Sequence, residues 1–332
     1  MKKERLFKVI FATAALFSVV AVGVISIFLF ASAIPTIAEI GPLKFLLGTT
    51  WKPGSNLYGI LPMILGSIVV TLISIIIGVP LGIATALYLT FFASNKVKKV
   101  MNPSVELLAG IPSVVYGFFG LMVLVPIMRY VTGNGKSILT ASILLSVMIL
   151  PTIVTVSQSS LNALDPALLE GALALGDSKE RAVLRVMMPA ASSGIMSSVV
   201  LGIGRSIGET MAVVMVAGNQ PRIPSSLLEG ARTMTANIVL EMGYAADLHR
   251  EALLATGAVL FVFILLINLS FSLILLPGVM LYSCFPFRYS HLPSLALFNF
   301  DNHIIYLFTS IYNRRISYIY INTFVQFVYL HQ

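Results

Sequence analysis

Two ionisable side chains, Arg205 and Glu209, lie four residues apart in the run Gly202-Ile203-Gly204-Arg205-Ser206-Ile207-Gly208-Glu209-Thr210-Met211-Ala212, which is otherwise apolar or small. A charge at the centre of a bilayer-spanning helix costs about 2.5–3.5 kcal/mol on insertion scales, so such groups face a cavity or each other. On one continuous helix a spacing of four puts both on the same face, with Cβ atoms about 5–6 Å apart. Two readings follow: an ion bridge that locks two helices, or the lining of an ion path. A guanidinium fork offers planar paired donors that suit a tetrahedral oxyanion. Glu209 would pair with Arg205 while the path is empty and yield to the arriving ion. A protonated phosphate could also donate a hydrogen bond to that carboxylate, whereas fully ionised sulfate could not. Gly202, Gly204 and Gly208 have the small-residue spacing of close helix contact.

These residues need a membrane scaffold, and the composition supplies one. The 332 residues are 58% hydrophobic and 10% charged, with a net charge of +8. A soluble domain carries roughly 25% charged residues. No basic cluster is interleaved with aromatics, so the surplus of positive charge does not point to nucleic acid. Cys284 is the single cysteine, and His249, His291, His303 and His331 match no metal-ligand spacing. About 20 apolar residues make a membrane helix. Six segments qualify: 9–30, 61–92, 107–127, 138–156, 193–216 and 252–282. The first follows a basic start that resembles a signal peptide, but it is too long for an h-region of about 7–15 residues and reads as a retained anchor. The third is interrupted by Gly110 and Pro112, either a simple helix kink or a feature of the path; Tyr116 after them reads equally as interfacial anchor or pore-lining hydroxyl. Basic residues favour a cytoplasmic N-terminus, with Lys96, Lys98, Lys99, Lys179, Arg181 and Arg185 on the same side. The segment 217–251 then forms a partly helical cap or re-entrant turn on the outer face.

A structured insert occupies residues 162–192, between the fourth and fifth spans. Asp165 is a good N-cap and Pro166 suits the first helical position. Leu168, Ala172 and Leu175 form an apolar stripe, and Gly176 can take the left-handed conformation that ends a helix. Asp177 is expected to cap a second helix, with Glu180 as its reciprocal partner and Pro189 as its end. The bland reading is an interfacial helical hairpin. The functional one is a coupling helix that lays its apolar stripe into a groove on a partner.

Glu170-Gly171-Ala172, then Gly176, then Val186-Met187-Met188-Pro189 resembles the EAA loop of ABC-importer permeases: Glu-Ala-Ala, three residues, Gly, nine residues, Ile-x-Leu-Pro. Gly171 replaces an alanine and loosens the first helix by up to about 1 kcal/mol. The run Gly204 to Val213, with Gly218-Asn219, and the run Ala109 to Phe118 are similar to phosphate permeases of the PstC type, and the resemblance covers roughly residues 1–282. It implies an all-α, polytopic, MetI-like permease domain over 1–282, with an anchor at 9–30, a core at 60–282 and a coupling loop at 162–192. It implies transport without catalysis by this chain, with Arg205, Glu209 and Thr210 along the substrate path. Glu170, Gly171, Ala172, Gly176 and Pro189 would couple the path to an ABC ATPase, and Gly110, Pro112 and Tyr116 would shape it. ATP with magnesium would be held by that ATPase, since this chain has no Gly-x-x-x-x-Gly-Lys-Ser/Thr loop and binds no cofactor or metal itself. The other implied partners are a PstA-like sister permease, an extracytoplasmic phosphate-binding protein and membrane lipid. The setting would be a bacterial or archaeal plasma (inner) membrane. The alternatives are a permease for another oxyanion and an ion-coupled carrier, although no inverted repeat supports the carrier. Residues 283–332 carry no capped helix and no clean span; they do not resemble the family and read like an out-of-frame translation of AT-rich DNA or, alternatively, a peripheral, membrane-skimming extension.

Overall fold

Lipid offers no hydrogen bonds, so an apolar chain must satisfy its backbone within each segment, and helices do this. The computed structural model describes residues 2–283, with side chains described at residue 7 and at 9–270. The expected out-of-frame tail lies outside the described residues, apart from Ser283. The helices run α1 (Lys2–Ile40) and α2 (Pro42–Leu47), then a small antiparallel hairpin of β1 (Trp51–Lys52) and β2 (Leu57–Tyr58). There follow α3 (Leu61–Leu87) with a π-helical turn at Tyr88–Phe92, α4 (Asn95–Gly110), α5 (Ser113–Phe119), a π turn at Gly120–Leu124, and α6 (Val125–Thr132). Then come α7 (Ile138–Asn162), α8 (Pro166–Ala174), α9 (Lys179–Ala182), a π turn at Val183–Met187, and α10 (Met188–Ala190). The chain continues with α11 (Ser192–Gly208), α12 (Met211–Val216), α13 (Met234–Glu241) and α14 (Asp247–Ser283).

Among the described residues five helical stretches are long and apolar enough to cross a membrane: Val9–Ile40, Leu61–Phe92, Ser113–Thr132, Ile138–Asn162 and Asp247–Ser270. The pair Lys179–Ala190 and Ser192–Gly208, bent by 72°, makes a sixth when taken as one span. The all-α polytopic class is therefore correct. Two details differ from expectation. The first helix runs from Lys2 to Ile40, well beyond 9–30. The third span begins at Ser113, not Leu107, because Gly110 and Pro112 separate two helices instead of kinking one. A proline disfavours the α conformation at the residue before it. Ile111 is accordingly extended (φ −72°, ψ 126°), and α4 stops at Gly110 as a largely exposed helix.

The chain divides into two compact units: Met1–Ser74, Pro112–Leu145 and Glu209–Phe263 in one, and Ile75–Ile111, Ser146–Gly208 and the segment from Ile264 in the other. In the second unit α7 is the buried centre. Ile153, fully buried, receives glycine from two helices. A Cβ on Gly82 of α3 would stand 2.7 Å from its Cγ2, and one on Gly202 of α11 3.2 Å from its Cδ1. Ser157 and Ser198, both buried, share a hydrogen bond of 2.9 Å across the same α7–α11 contact. Helices in lipid associate through such close small-residue contacts and interhelical hydrogen bonds.

The first unit is tied by a polar cluster that no motif announced. The buried Glu241 carboxylate accepts from the indole Nε1 of Trp51 at 2.8 Å and from the guanidinium of Arg232, and lies 2.9 Å from Nε2 of His249. Arg232 also donates to Oδ1 of Asn237 at 3.0 Å and to the carbonyl of Asn219 at 3.0 Å. One carboxylate thus joins the hairpin, the 217–233 segment, α13 and the start of α14. Burial pushes the Glu241 carboxyl upward, but donation from Trp51, His249 and Arg232, with the arginine charge, outweighs it and holds the pKa below the ordinary 4.5.

Two outcomes are expected. Gly82→Leu should lower the thermal unfolding midpoint by the equivalent of about 1–3 kcal/mol of overpacking. Adding Ile153→Ala should recover part of that loss in a double-mutant cycle; strict additivity would mean the two residues do not touch. A carboxyl with a depressed folded pKa stabilises fully above its unfolded value and loses that contribution as pH falls through the folded value. Stability should therefore decline with acid below about pH 4.5. Glu241→Gln should flatten that acid limb and cost roughly 1–3 kcal/mol at neutral pH, read from denaturation curves across pH.

Candidate functional site

The 162–192 segment is built by caps and anchored by a small core. Asp165 Oδ1 accepts from the Ala167 N–H at 2.9 Å, which starts α8. At the other end the Asp177 N–H donates to the Ala172 carbonyl at 3.2 Å and the Gly176 N–H to that of Leu173 at 3.0 Å. This double closure needs a left-handed residue after the cap, and Gly176 supplies it at φ +87°. The expected cap of the second helix is corrected. Ser178, not Asp177, accepts from the Arg181 N–H, and Asp177 instead lies 3.5 Å from the Arg181 guanidinium. Serine is as good a cap as aspartate, so the rule was sound and the register was off by one. Pro189 sits within α10; the line of the chain turns by 72° just beyond it, between Ala190 and Ser192.

A cluster of Ala86, Leu87, Leu161, Val183, Ala191 and Ile195, with Leu169 and Met188 packed on it, fixes this elbow to the ends of α3, α7 and α11. Leu169 is thus the inward residue of α8. The expected stripe turns the other way: Leu168 is 43% exposed, Leu175, which lies one residue beyond α8, is 91% exposed, and Glu170 and Gly171 are exposed beside half-buried Ala172. α8 is thus a short helix anchored on one face and bare on the other.

The charged run is where the structure departs most from expectation. α11 ends at Gly208 and α12 begins at Met211, so Arg205 and Glu209 do not share one helical face. Each has its own partner. The Arg205 guanidinium, half-buried, donates to Thr152 Oγ1 of α7 at 3.2 Å. Glu209 Oε1 accepts from the N–H groups of Thr210 at 3.2 Å and Ala212 at 3.3 Å, and its backbone carbonyl accepts from buried Thr235 at 3.1 Å. Glu209 therefore stabilises a backbone break. Thr210 stands within the break, at φ −118° and ψ −62°. The third-span run meets α12: a Cβ on Gly117 would come within 2.9 Å of the Ala212 Cα, and Tyr116 beside it is buried. Gly110 lies apart, at the exposed end of α4, and Pro112 caps α5. Thr152 escaped the sequence reading; an OH directly after Pro151 in an apolar span was the available signal. Among the described residues no group of acidic, histidine and cysteine side chains could hold a metal.

Residues 78–276 match the family model of the binding-protein-dependent transport system inner membrane component. The probable ABC transporter permease protein YqgH of Bacillus subtilis is 42% identical over 273 residues, 79% of this chain and 88% of the relative. The phosphate transport system permease protein PstC of Mesorhizobium japonicum is 34% identical over 286 residues, 80% of this chain and 87% of the relative. In fold, the chain is similar to one from the inward-facing MetNI methionine ABC transporter, with a TM-score of 0.51 at 19% identity over 72% of this chain and 98% of that one. Broken membrane span, capped elbow and matched residues agree, and the chain belongs to the family of inner-membrane permease components of binding-protein-dependent ABC importers.

Proposed function

We propose that this chain carries phosphate across the plasma membrane as the permease subunit of an ATP-driven importer. The observation that carries this reading is the break at Glu209–Thr210 between α11 and the short apolar helix α12, one turn beyond a half-buried arginine. Irregular backbone at membrane depth is tolerated where it is enclosed by protein or lines a cavity, and discontinuous helices mark substrate sites in transporters. Arg205 is the oxyanion ligand, a fork for two phosphate oxygens. Glu209 holds the break open, and Thr210 supplies a hydroxyl to the same path. The PstC relatives are named for phosphate transport, which supports this substrate.

An ABC ATPase holding ATP and magnesium docks on the exposed side of α8, with Glu170, Gly171 and Ala172 at the contact, Gly176 setting the turn and Pro189 setting the elbow. A PstA-like sister permease completes the path, and an extracytoplasmic phosphate-binding protein feeds it. The N-terminus and the 162–192 elbow then face the cytoplasm, consistent with their basic residues. Closure of the ATPase pair pushes the elbow, and α11 carries the motion to Arg205.

Arg205→Ala should abolish phosphate uptake in vesicles holding the assembled transporter while leaving assembly intact. Arg205→Lys, which keeps charge without the fork, should retain less than about a tenth of uptake. Normal uptake in either would make Arg205 structural only. Equal competition by sulfate or molybdate would assign another oxyanion to the same path. Gly176→Val forces a β-branched residue into the left-handed region at a cost of about 1–2 kcal/mol. It should leave the chain in the membrane but depress phosphate-stimulated ATP turnover about tenfold; unchanged turnover would remove the elbow from coupling.

A further inference from the structure

The ends of α1 and α14 enclose a cleft of about 370 Å³ that the transport reading does not use. Both helices are apolar enough to span a membrane, and the cleft lies near the last turns of Val9–Ile40 and the first turns of Asp247–Ser270. The ends of bilayer-spanning helices are where lipid headgroups are met. The walls of the cleft change character along their length. Phe28 and Leu254 line the apolar part, and Arg250, Glu251 and Thr36 the polar part. Arg250 is exposed. The Thr36 hydroxyl, almost fully buried, donates to the Ser32 carbonyl at 2.9 Å with Glu251 Oε2 at 3.3 Å. Pro35, inside α1, has no N–H to give, so the Ala31 carbonyl lacks its usual helical donor; both residues line the cleft. Deeper in, Phe30 and Phe261 close the two helices together edge to face at 5.9 Å. The outward side of α1 is bare apolar surface, with Ile27 71% and Phe28 60% exposed.

We propose that this cleft is a binding site for one phospholipid with a zwitterionic ethanolamine headgroup. The guanidinium of Arg250 takes the lipid phosphate. Glu251, together with the Ala31 carbonyl, takes the ammonium. An acyl chain runs down Phe28 and Leu254 into the bilayer. The adjacent cation and carboxylate set the choice of lipid: an anionic glycerol headgroup satisfies Arg250 but leaves Glu251 facing no positive charge. Bound there, the lipid fills the gap beside α1 and braces it against α14.

The test is native mass spectrometry of the full-length chain, purified in mild detergent and offered equal amounts of phosphatidylethanolamine and phosphatidylglycerol. The wild-type chain should retain one phosphatidylethanolamine in preference. Arg250→Ala should weaken retention of both lipids about tenfold, the scale of one hydrogen bond to a charged group. Glu251→Gln should keep retention and lose the preference. No preference in the wild-type chain, or retention by Arg250→Ala equal to wild type, would overturn the proposal, as would displacement of the lipid by inorganic phosphate, which would mark a plain anion site. Should Arg250→Ala fail to fold, Glu251→Gln decides alone: a preference kept by that variant overturns the proposal.

Discussion

Ile153 is the residue on which the second compact unit is organised. Its side chain fills the space left by two missing Cβ atoms, at Gly82 on α3 and Gly202 on α11. Water gives helices a reason to associate by hiding apolar surface; lipid removes that reason, because the tails are as apolar as isoleucine. Shape has to do the work, and a β-branched knob against glycine gives close dispersion contact over many atoms. The serine pair at 157 and 198 then fixes the register of α7 on α11. Thr152 is the neighbour of Ile153, and Arg205 lies three residues beyond Gly202, so the same contact that packs the helices also sets the arginine beside its hydroxyl partner.

α11 has a different constraint at each end. Its start follows the 72° elbow, whose anchor residues Val183, Ala191 and Ile195 belong to one buried cluster with Leu161 of α7. Its finish is the break at Glu209–Thr210. A helix of 17 residues spans about 25 Å. In the proposed cycle, force applied to the bare side of α8 meets a capped turn and a packed core before it meets anything soft. α11 is unbroken from Ser192 to Gly208, an arrangement suited to carrying a push from the packed elbow to the arginine.

Much of this was legible from residue types. Apolar length revealed the spans, because in a membrane the pattern is set by the solvent. The turn at Gly176 was legible because only glycine takes φ +87° cheaply. What failed depended on choices between near-equals. Asp177 and Ser178 are both good caps, and only the finished turn selects the serine. Pro112 is compatible with a kink or a stop, and the exposed, lysine-bearing helix before it decided for a stop. Arg205 and Glu209 looked like one face because a continuous helix was assumed through Gly208, where no proline marks the end. The Glu241 cluster was illegible for another reason: Trp51 and Glu241 are 190 residues apart, and no local rule pairs them.

The partner of Arg205 bears on how an anion could be bound and released. Had the arginine been locked to a carboxylate, an arriving oxyanion would need to displace a buried ion pair, whose disruption costs several kcal/mol. A hydroxyl at 3.2 Å is a weaker hold, about 1.5–3 kcal/mol for a hydrogen bond involving one charged group, and the hydroxyl can turn to other partners. Thr152 thus keeps the guanidinium oriented, and among the described residues no carboxylate is ion-paired with it. Glu209, placed four residues away, could have quenched that charge, but one of its carboxylate oxygens is held by the N–H groups of Thr210 and Ala212. The acidic residue that looked out of place beside the proposed anion path has a backbone to hold, and in that proposal the positive charge is left for the cargo.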